Sequence, residues 1–246
     1  SAPFGGFQYL NEDIKIAQID YALIALEGWI KEKEYKSIKV TLPPILYNQR
    51  FINKQANAFY RYDYELNTFD LNYHFLVSKL EDNYLTEIIW YNAKKNLNKS
   101  LKNNLTFVKL PSDEGEHAYK VIAQNRSEKG FPLRMSWDQI KKTMEVVKVD
   151  FFLVKLEKVN IAAAIVFHVA KDIVQVVYWG DLNEFSELKT MNFLSYNVFN
   201  YYEQNNISIV DIGPSTENSV PNFGLCEFKE SIGCDISNKS IYSKYF

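Results

Sequence analysis

Residues 207–233 read ISIVDIGPSTENSVPNFGLCEFKESIG, and how this stretch divides into elements decides the fold. Ile207, Ile209, Val210 and Ile212 form a β-branched run that reads as a buried strand. Gly213-Pro214 stops it, because proline has no N–H to give to a strand ladder. A polar loop, residues 215–221, comes next. Asn222 then opens a helix in which Leu225, Phe228 and Ile232 recur at i, i+3 and i+7, while the i+4 position is Lys229. A lysine there interrupts the face that should be buried.

Working outward, residues 235–245 are expected to be a last strand. On the other side, residues 187–204 are predicted as a helix with Leu188, Met191, Ser195, Val198, Phe199 and Tyr202 on one face and Phe193, Tyr196 and Tyr201 on others, a pattern that implies burial on several sides. Three β-rich runs precede it (150–156, 161–169 and 173–179), joined by turns short enough for hairpins. Before them lie a strand at 105–110, a helix at 113–127 and a helix at 136–147 with Ser136 as its cap. The order is β-α-α-β-β-β-α-β-α-β. A helix between the third run and the 207 strand requires a parallel crossover, so the sheet is predicted to be mixed.

The earlier part of the chain gives a loop or strand end at 1–9 and a helix at 17–33 from Ile19, Ala22, Leu23, Leu26 and Ile30. A strand at 37–42 ends at Pro43-Pro44, a helix covers 46–60, and the alternating residues 62–77 form one strand or a hairpin. Leu85, Ile89, Ala93, Leu97 and Leu101 predict a connecting helix at 83–103, with Lys94, Lys95, Lys99 and Lys102 as its solvated face. Two regions are therefore expected, 1–104 and 105–246.

With 246 residues, 47% hydrophobic and 24% charged, the chain has the composition of a soluble globular protein. A formal charge of -2 gives no global case for binding nucleic acid or coating an anionic membrane. No apolar run approaches the roughly 18 residues of a membrane-spanning helix. Cys226 and Cys234 cannot make a disulfide framework, so a reducing, cytoplasmic setting is expected. His74, His117 and His168 are scattered without metal-ligand spacing, and no phosphate-binding glycine loop or Gly-x-Ser-x-Gly elbow occurs.

The element order resembles the GNAT acyltransferase fold, an α/β fold with a mixed sheet. The first half looks like the later part of the same fold, so two tandem halves are expected, the first incomplete at its N-terminus with sequence upstream of Ser1. Tandem GNAT-like halves resemble the Fem-type peptidoglycan aminoacyltransferases and their FemAB-like relatives. The motif likeness lies in Asp211-Ile212-Gly213, Phe223-Gly224-Leu225, Phe228-Lys229 and Gly233. Asn125-Arg126, Gly130, Pro132, Leu133, Phe4-Gly5-Gly6 and Pro43-Pro44 with Tyr47 are similar to a less characterised branch. The resemblance implies transfer of an acyl or aminoacyl group to an amine of a cell-envelope, amino-sugar or peptide precursor. The chain has no room for the helical arm that Fem enzymes associate with aminoacyl-tRNA, so nucleic acid is not expected as a partner except as such a donor.

No cofactor is expected. GNAT enzymes hold the coenzyme A pyrophosphate on backbone N–H groups at a glycine-rich turn that opens a helix. Here that turn, residues 179–187, has only Gly180 and carries Asp181, Glu184 and Glu187, which disfavour a diphosphate. Lys229 and Asp211 are the candidate catalytic residues. Lys229 would stabilise charge on a carbonyl oxygen, or else would lie along the core and extend its ammonium to water. Asp211, at a strand's carboxyl end, would orient or deprotonate an amine, or else serve as a turn residue. Tyr178, Trp179, Ser215, Asn222, Phe223 and Tyr47 are the candidate substrate-binding residues. A coenzyme A-dependent acetyltransferase and a non-catalytic module of the same fold are the competing readings.

Overall fold

A computed structural model describes residues 4–10, 13–81 and 83–246. The expectation for residues 1–9 therefore falls partly outside the described residues, and 4–9 lie in no helix or strand. In chain order the elements are α1 (Ile16–Glu32), β1 (Ser37–Thr41), α2 (Gln49–Arg61), β2 (Glu65–Leu76), α3 (Tyr91–Ser100), β3 (Leu105–Leu110), α4 (Glu116–Lys129), α5 (Trp137–Met144) and β4 (Val149–Leu156). There follow β5 (Val159–His168), β6 (Ile173–Asp181), α6 (Thr190–Gln204), β7 (Ile209–Pro214), β8 (Thr216–Glu217), β9 (Val220–Pro221), α7 (Phe223–Ser231) and β10 (Asp235–Tyr245).

The chain folds into two compact units. One comprises Ser1–Asn72, Pro214–Phe223 and Ile236–Phe246; the other comprises Tyr73–Gly213 and Gly224–Asp235. The expected division at 104/105 falls inside the second of these.

In the first unit, Ile19 and Leu23 of α1 meet Phe51, Ile52, Ala58 and Phe59 of α2 over Val40 and Leu42. The α2 helix starts where Asn48 turns its side-chain oxygen onto the Phe51 N–H at 3.0 Å, which satisfies one of the free donors of a helix start. β1 runs antiparallel to β10, from Ser37 opposite Tyr245 to Thr41 opposite Ile241.

The second unit is built on β3, β4, β5, β6 and β7. The first four are joined in sequence order as antiparallel neighbours, and β7 is parallel to β6. Its β4 and β5 carry nearly unbroken apolar runs because both faces are covered. On one face Phe151 meets Trp137 of α5 and crowds Gly115, where any Cβ would sit 2.6 Å from the ring. On the other, Phe152 lies edge-on to Tyr201 and Tyr202 of α6. Phe75 at the end of β2 stacks flat on Phe199 of the same helix, with centroids 3.9 Å apart. The α5 cap is the one expected: Ser136 accepts from Gln139 N, while the Gln139 side chain accepts from Ser136 N.

The helices predicted at 46–60 and 113–127 each begin three residues late and the one at 136–147 ends three residues early, while in two others tertiary contacts set the bounds. The connecting helix at 83–103 is instead a single π turn at Tyr84–Ile88, two extended residues at Ile89 and Trp90, and α3. The cause is tertiary. Tyr84 donates to Ile232 O at 3.1 Å and Trp90 N to Ser231 O at 2.9 Å. Ile88 packs so closely on Gly233 that a Cβ there would lie 2.7 Å from its methyl. Docking onto the end of α7 thus outweighs the continuous helical period. The helix expected from 187 starts at Thr190, after a 3-10 turn at Asn183–Leu188 and a left-handed Lys189. Thr190 Oγ1 donates to the Asp181 carboxylate at 2.5 Å, which fixes this start. Among the described residues, no helix is long and apolar enough to cross a membrane.

Candidate active site

The parallel pairing of β6 and β7 covers only Ile173–Gln175 against Ile209–Asp211, although β6 runs on to Asp181 and β7 to Pro214. Two local features part them. The β5–β6 register slips after Ile165, leaving Val177 as an extra residue that re-aims the end of β6. Gly213, at φ +72°, turns the end of β7. The strands separate at their carboxyl ends, the edge where open α/β sheets hold ligands.

Lys229 stands at this place. It is 2% exposed, and its Nζ donates to Ile212 O at 2.9 Å and Gly213 O at 2.8 Å, with the Tyr73 ring 5.3 Å away. The alternative in which its ammonium extends to water is therefore corrected: α7 turns this face inward and the strand end supplies carbonyls in place of solvent. Burial pushes its pKa down from 10.5 to about 8, against the opposing pull of Cys234, Asp211 and Cys226.

Asp211 is fully buried. Its Oδ1 accepts from Gly213 N at 2.9 Å and its Oδ2 from Gln175 Nε2 at 3.2 Å, so the carboxylate braces both the turn and the last paired rung. Tyr73 and His74, which the sequence did not single out as site residues, join this region from the end of β2. The Tyr73 hydroxyl donates to Glu230 Oε1 at 2.9 Å, and burial raises its pKa. His74 is buried with an Nδ1 that finds no hydrogen-bond partner among the described residues, and burial lowers its pKa. Alternation on β2 was the only available signal for either residue.

Of the pair ending β6, Tyr178 belongs to the apolar core and its hydroxyl accepts from Met135 N at 3.1 Å. Trp179 is half-buried and lies edge-on to Phe228 at 6.2 Å, which ties the end of β6 to the residue before Lys229. The turn after β6 is filled by carboxylates. Asn183 N is taken by Glu128 Oε2 at 2.9 Å, and Asp181 accepts from Thr190. Gly180 is required here, because a Cβ would lie 2.5 Å from Asn125 Oδ1. That approach lets Asn125 Nδ2 reach Asp181 O at 2.6 Å. Gly180→Ala is expected to lower stability by about 1–3 kcal/mol, read as a fall in the urea midpoint. An unchanged midpoint would mean that Asn125 moves aside freely.

The remaining candidates lie in the first unit. Ser215 is buried and its N–H donates to Leu71 O at 3.0 Å, while Asn222 N closes the loop onto Ser215 O at 2.9 Å. Between them, Asn218 and Ser219 both take positive φ, making a two-residue turn between β8 and β9. Asp70 Oδ1 pins that turn by accepting from Thr216 Oγ1 and Ser219 N. Phe223 is 79% exposed. Tyr47 is half-buried, edge-on to Phe4 at 5.9 Å. The structure thus brings Lys229 and Asp211 together in the second unit, with Trp179 against the neighbouring Phe228, and Ser215 and Asn222 into one loop of the first. Among the described residues, no three His, Cys, Asp or Glu side chains form a group that could hold a metal ion.

No protein-family model matches the chain, and no curated protein matches it in sequence. Solved structures do match. FemX has a TM-score of 0.73 at 12% identity, covering 94% of this chain and 77% of its own. L-PGS from Bacillus licheniformis scores 0.63 at 11% identity, with 91% and 72% covered. The C-terminal domain of a putative lysylphosphatidylglycerol synthetase from Agrobacterium fabrum scores 0.57 at 8% identity, with 77% and 65% covered. The chain therefore shares the fold of FemX, with the mixed α/β sheet that the element order implied.

Proposed function

We propose that this chain is an N-acyl- or aminoacyltransferase that acts on an amine of a cell-envelope, amino-sugar or peptide precursor in the cytoplasm. The observation that carries the reading is the Lys229 ammonium, buried at the point where β6 and β7 part. Its N–H donors hold the end of β7 through Ile212 O and Gly213 O, which fixes the ammonium at the strand end where a donor carbonyl would meet it. The amine nitrogen attacks the donor carbonyl carbon, and negative charge grows on the carbonyl oxygen opposite the ammonium. A donor preset in a site shielded from water stabilises that charge without reorganisation. The carbon–oxygen or carbon–sulfur bond to the carrier then breaks, and the amine's proton leaves with the departing alcohol or thiol. Asp211 serves by positioning, since both its oxygens are engaged. The likeness in fold to FemX and to a putative lysylphosphatidylglycerol synthetase favours an aminoacyl group as the cargo.

Coenzyme A is disfavoured as the carrier. The turn after β6 has its Asn183 N–H taken by Glu128, and Asp181 adds a second carboxylate where a pyrophosphate would need free N–H groups. The test pairs aminoacyl-tRNA and acetyl-CoA as donors with amino-sugar and peptide amines as acceptors. Amide formation from the aminoacyl donor, with no rise in melting temperature on adding acetyl-CoA, is expected. Stabilisation by acetyl-CoA together with an acetylated product would make the protein an acetyltransferase. Silence with every donor would leave a binding module.

A further inference from the structure

Arg126 lies in the last turn of α4, half-buried, with its guanidinium 5.8 Å from the centre of the Tyr178 ring. Among the described residues this side chain makes no ion pair and donates no hydrogen bond, and burial pulls its pKa down. Arg61 shows what a satisfied guanidinium looks like in the same chain: its NH1 and NH2 nitrogens sit 3.0 and 2.5 Å from the two oxygens of Asp20. A ring face repays only part of what a cation loses on leaving water. The planar fork of Arg126, facing no carboxylate, has the donor geometry of an oxyanion site.

The surroundings hold the fork in place. Asn125 is bound to Asp181 O at 2.6 Å through the close approach at Gly180, and the Tyr178 hydroxyl is fixed by Met135 N at 3.1 Å. Both anchors lie on the carboxyl end of β6, the strand whose end bounds the gap beside β7.

We propose that Arg126 binds an oxyanion, a phosphate or a carboxylate, carried by one of the transferase's two substrates. The substrate role of that anion rests on the transferase reading; the existence of the site rests on the unpaired charge alone. The test titrates the protein calorimetrically at low ionic strength with inorganic pyrophosphate and, separately, with acetate. Saturable binding of one of them is expected, weakened at least tenfold in Arg126→Gln and by less in Arg126→Lys, which keeps the charge and loses the fork. Lys120→Gln, at an exposed ion pair with Glu116, should bind as the unmodified protein does.

Preference for pyrophosphate assigns a phosphate-bearing substrate, and preference for acetate a carboxylate-bearing one. Where Arg126→Gln fails to fold, Arg126→Lys carries the comparison. Absence of saturable binding, or equal affinity in the folded variants, overturns the proposal. Loss of anion binding in the variants with no transfer from any donor keeps the oxyanion site and removes the transferase reading. Transfer with unaltered anion binding does the reverse.

Discussion

Replacing Lys229 with methionine is expected to lower kcat about 10²–10³-fold on any amine acceptor that supports transfer, the effect of removing one preset donor to a developing oxyanion. The fold should survive. The variant strips a donor from Ile212 O and Gly213 O, at a cost of about 1–3 kcal/mol for each buried acceptor left unpaired. Against this it removes a buried charge whose pKa depression from 10.5 to about 8 corresponds to about 3 kcal/mol of unfavourable burial. The two effects are of similar size, so circular dichroism and the melting temperature should change little while turnover collapses. A variant that keeps its turnover and melts early would make Lys229 an anchor of β7 and nothing more.

The two pH dependences run in opposite directions. Transfer that needs the protonated ammonium falls as pH rises through about 8. Stability moves the other way: between about 8 and 10.5 the unfolded chain holds the Lys229 proton and the folded chain does not, so raising pH across that window favours the fold. Lys229→Met should lack the stability term.

Asp150→Ala should give the largest loss of stability, about 3–5 kcal/mol, read by chemical denaturation. Asp150 is 3% exposed on β4 and takes His168 Nε2 at 2.6 Å, Lys109 Nζ at 2.9 Å and the Tyr202 hydroxyl at 3.1 Å. Lys109 is partly open to solvent and can turn to water, so the loss falls mainly on His168 and the buried Tyr202. Burial alone would raise the Asp150 pKa; the hydrogen bonds from His168 and Lys109 outweigh it and hold the carboxyl below its ordinary value. Its stabilisation is therefore present above pH about 4 and is lost as pH falls through the lower folded-state value. The gap between wild type and variant should close in acid. A gap that stays constant from neutral pH to pH about 3 would mean that packing, not charge, is what the substitution removes.

Much of the fold was legible because its signals are local. The bounds of β3 and β10, the Ser136 cap and the buried runs of β4 and β5 follow from period and turn chemistry within a few residues. Lys229 was legible for the same reason, as one break in an apolar stripe. What the sequence hid is set by distant partners. Ile89 and Trp90 fit a helical period, and only Ser231 and Gly233 at the end of α7 explain why they are extended. Glu128 reaching Asn183, and Arg126 beside Tyr178, join residues some fifty positions apart that share no motif. Asp150, His168 and Lys109 come from three strands, and no spacing rule links them.

Because β1 is matched to β10, the time at which the first unit can form is tied to the direction of protein synthesis. The second unit needs only one short return of chain, Gly224–Asp235, after Gly213. By contrast α1, β1 and α2 leave the ribosome before the second unit's chain, and their strand partner only after it. Until β10 emerges the β1 edge is an unpaired template, the condition under which nascent chains associate wrongly. Its five residues, SIKVT, place a lysine at their centre, a charge on that open edge that discourages a second chain from pairing with it.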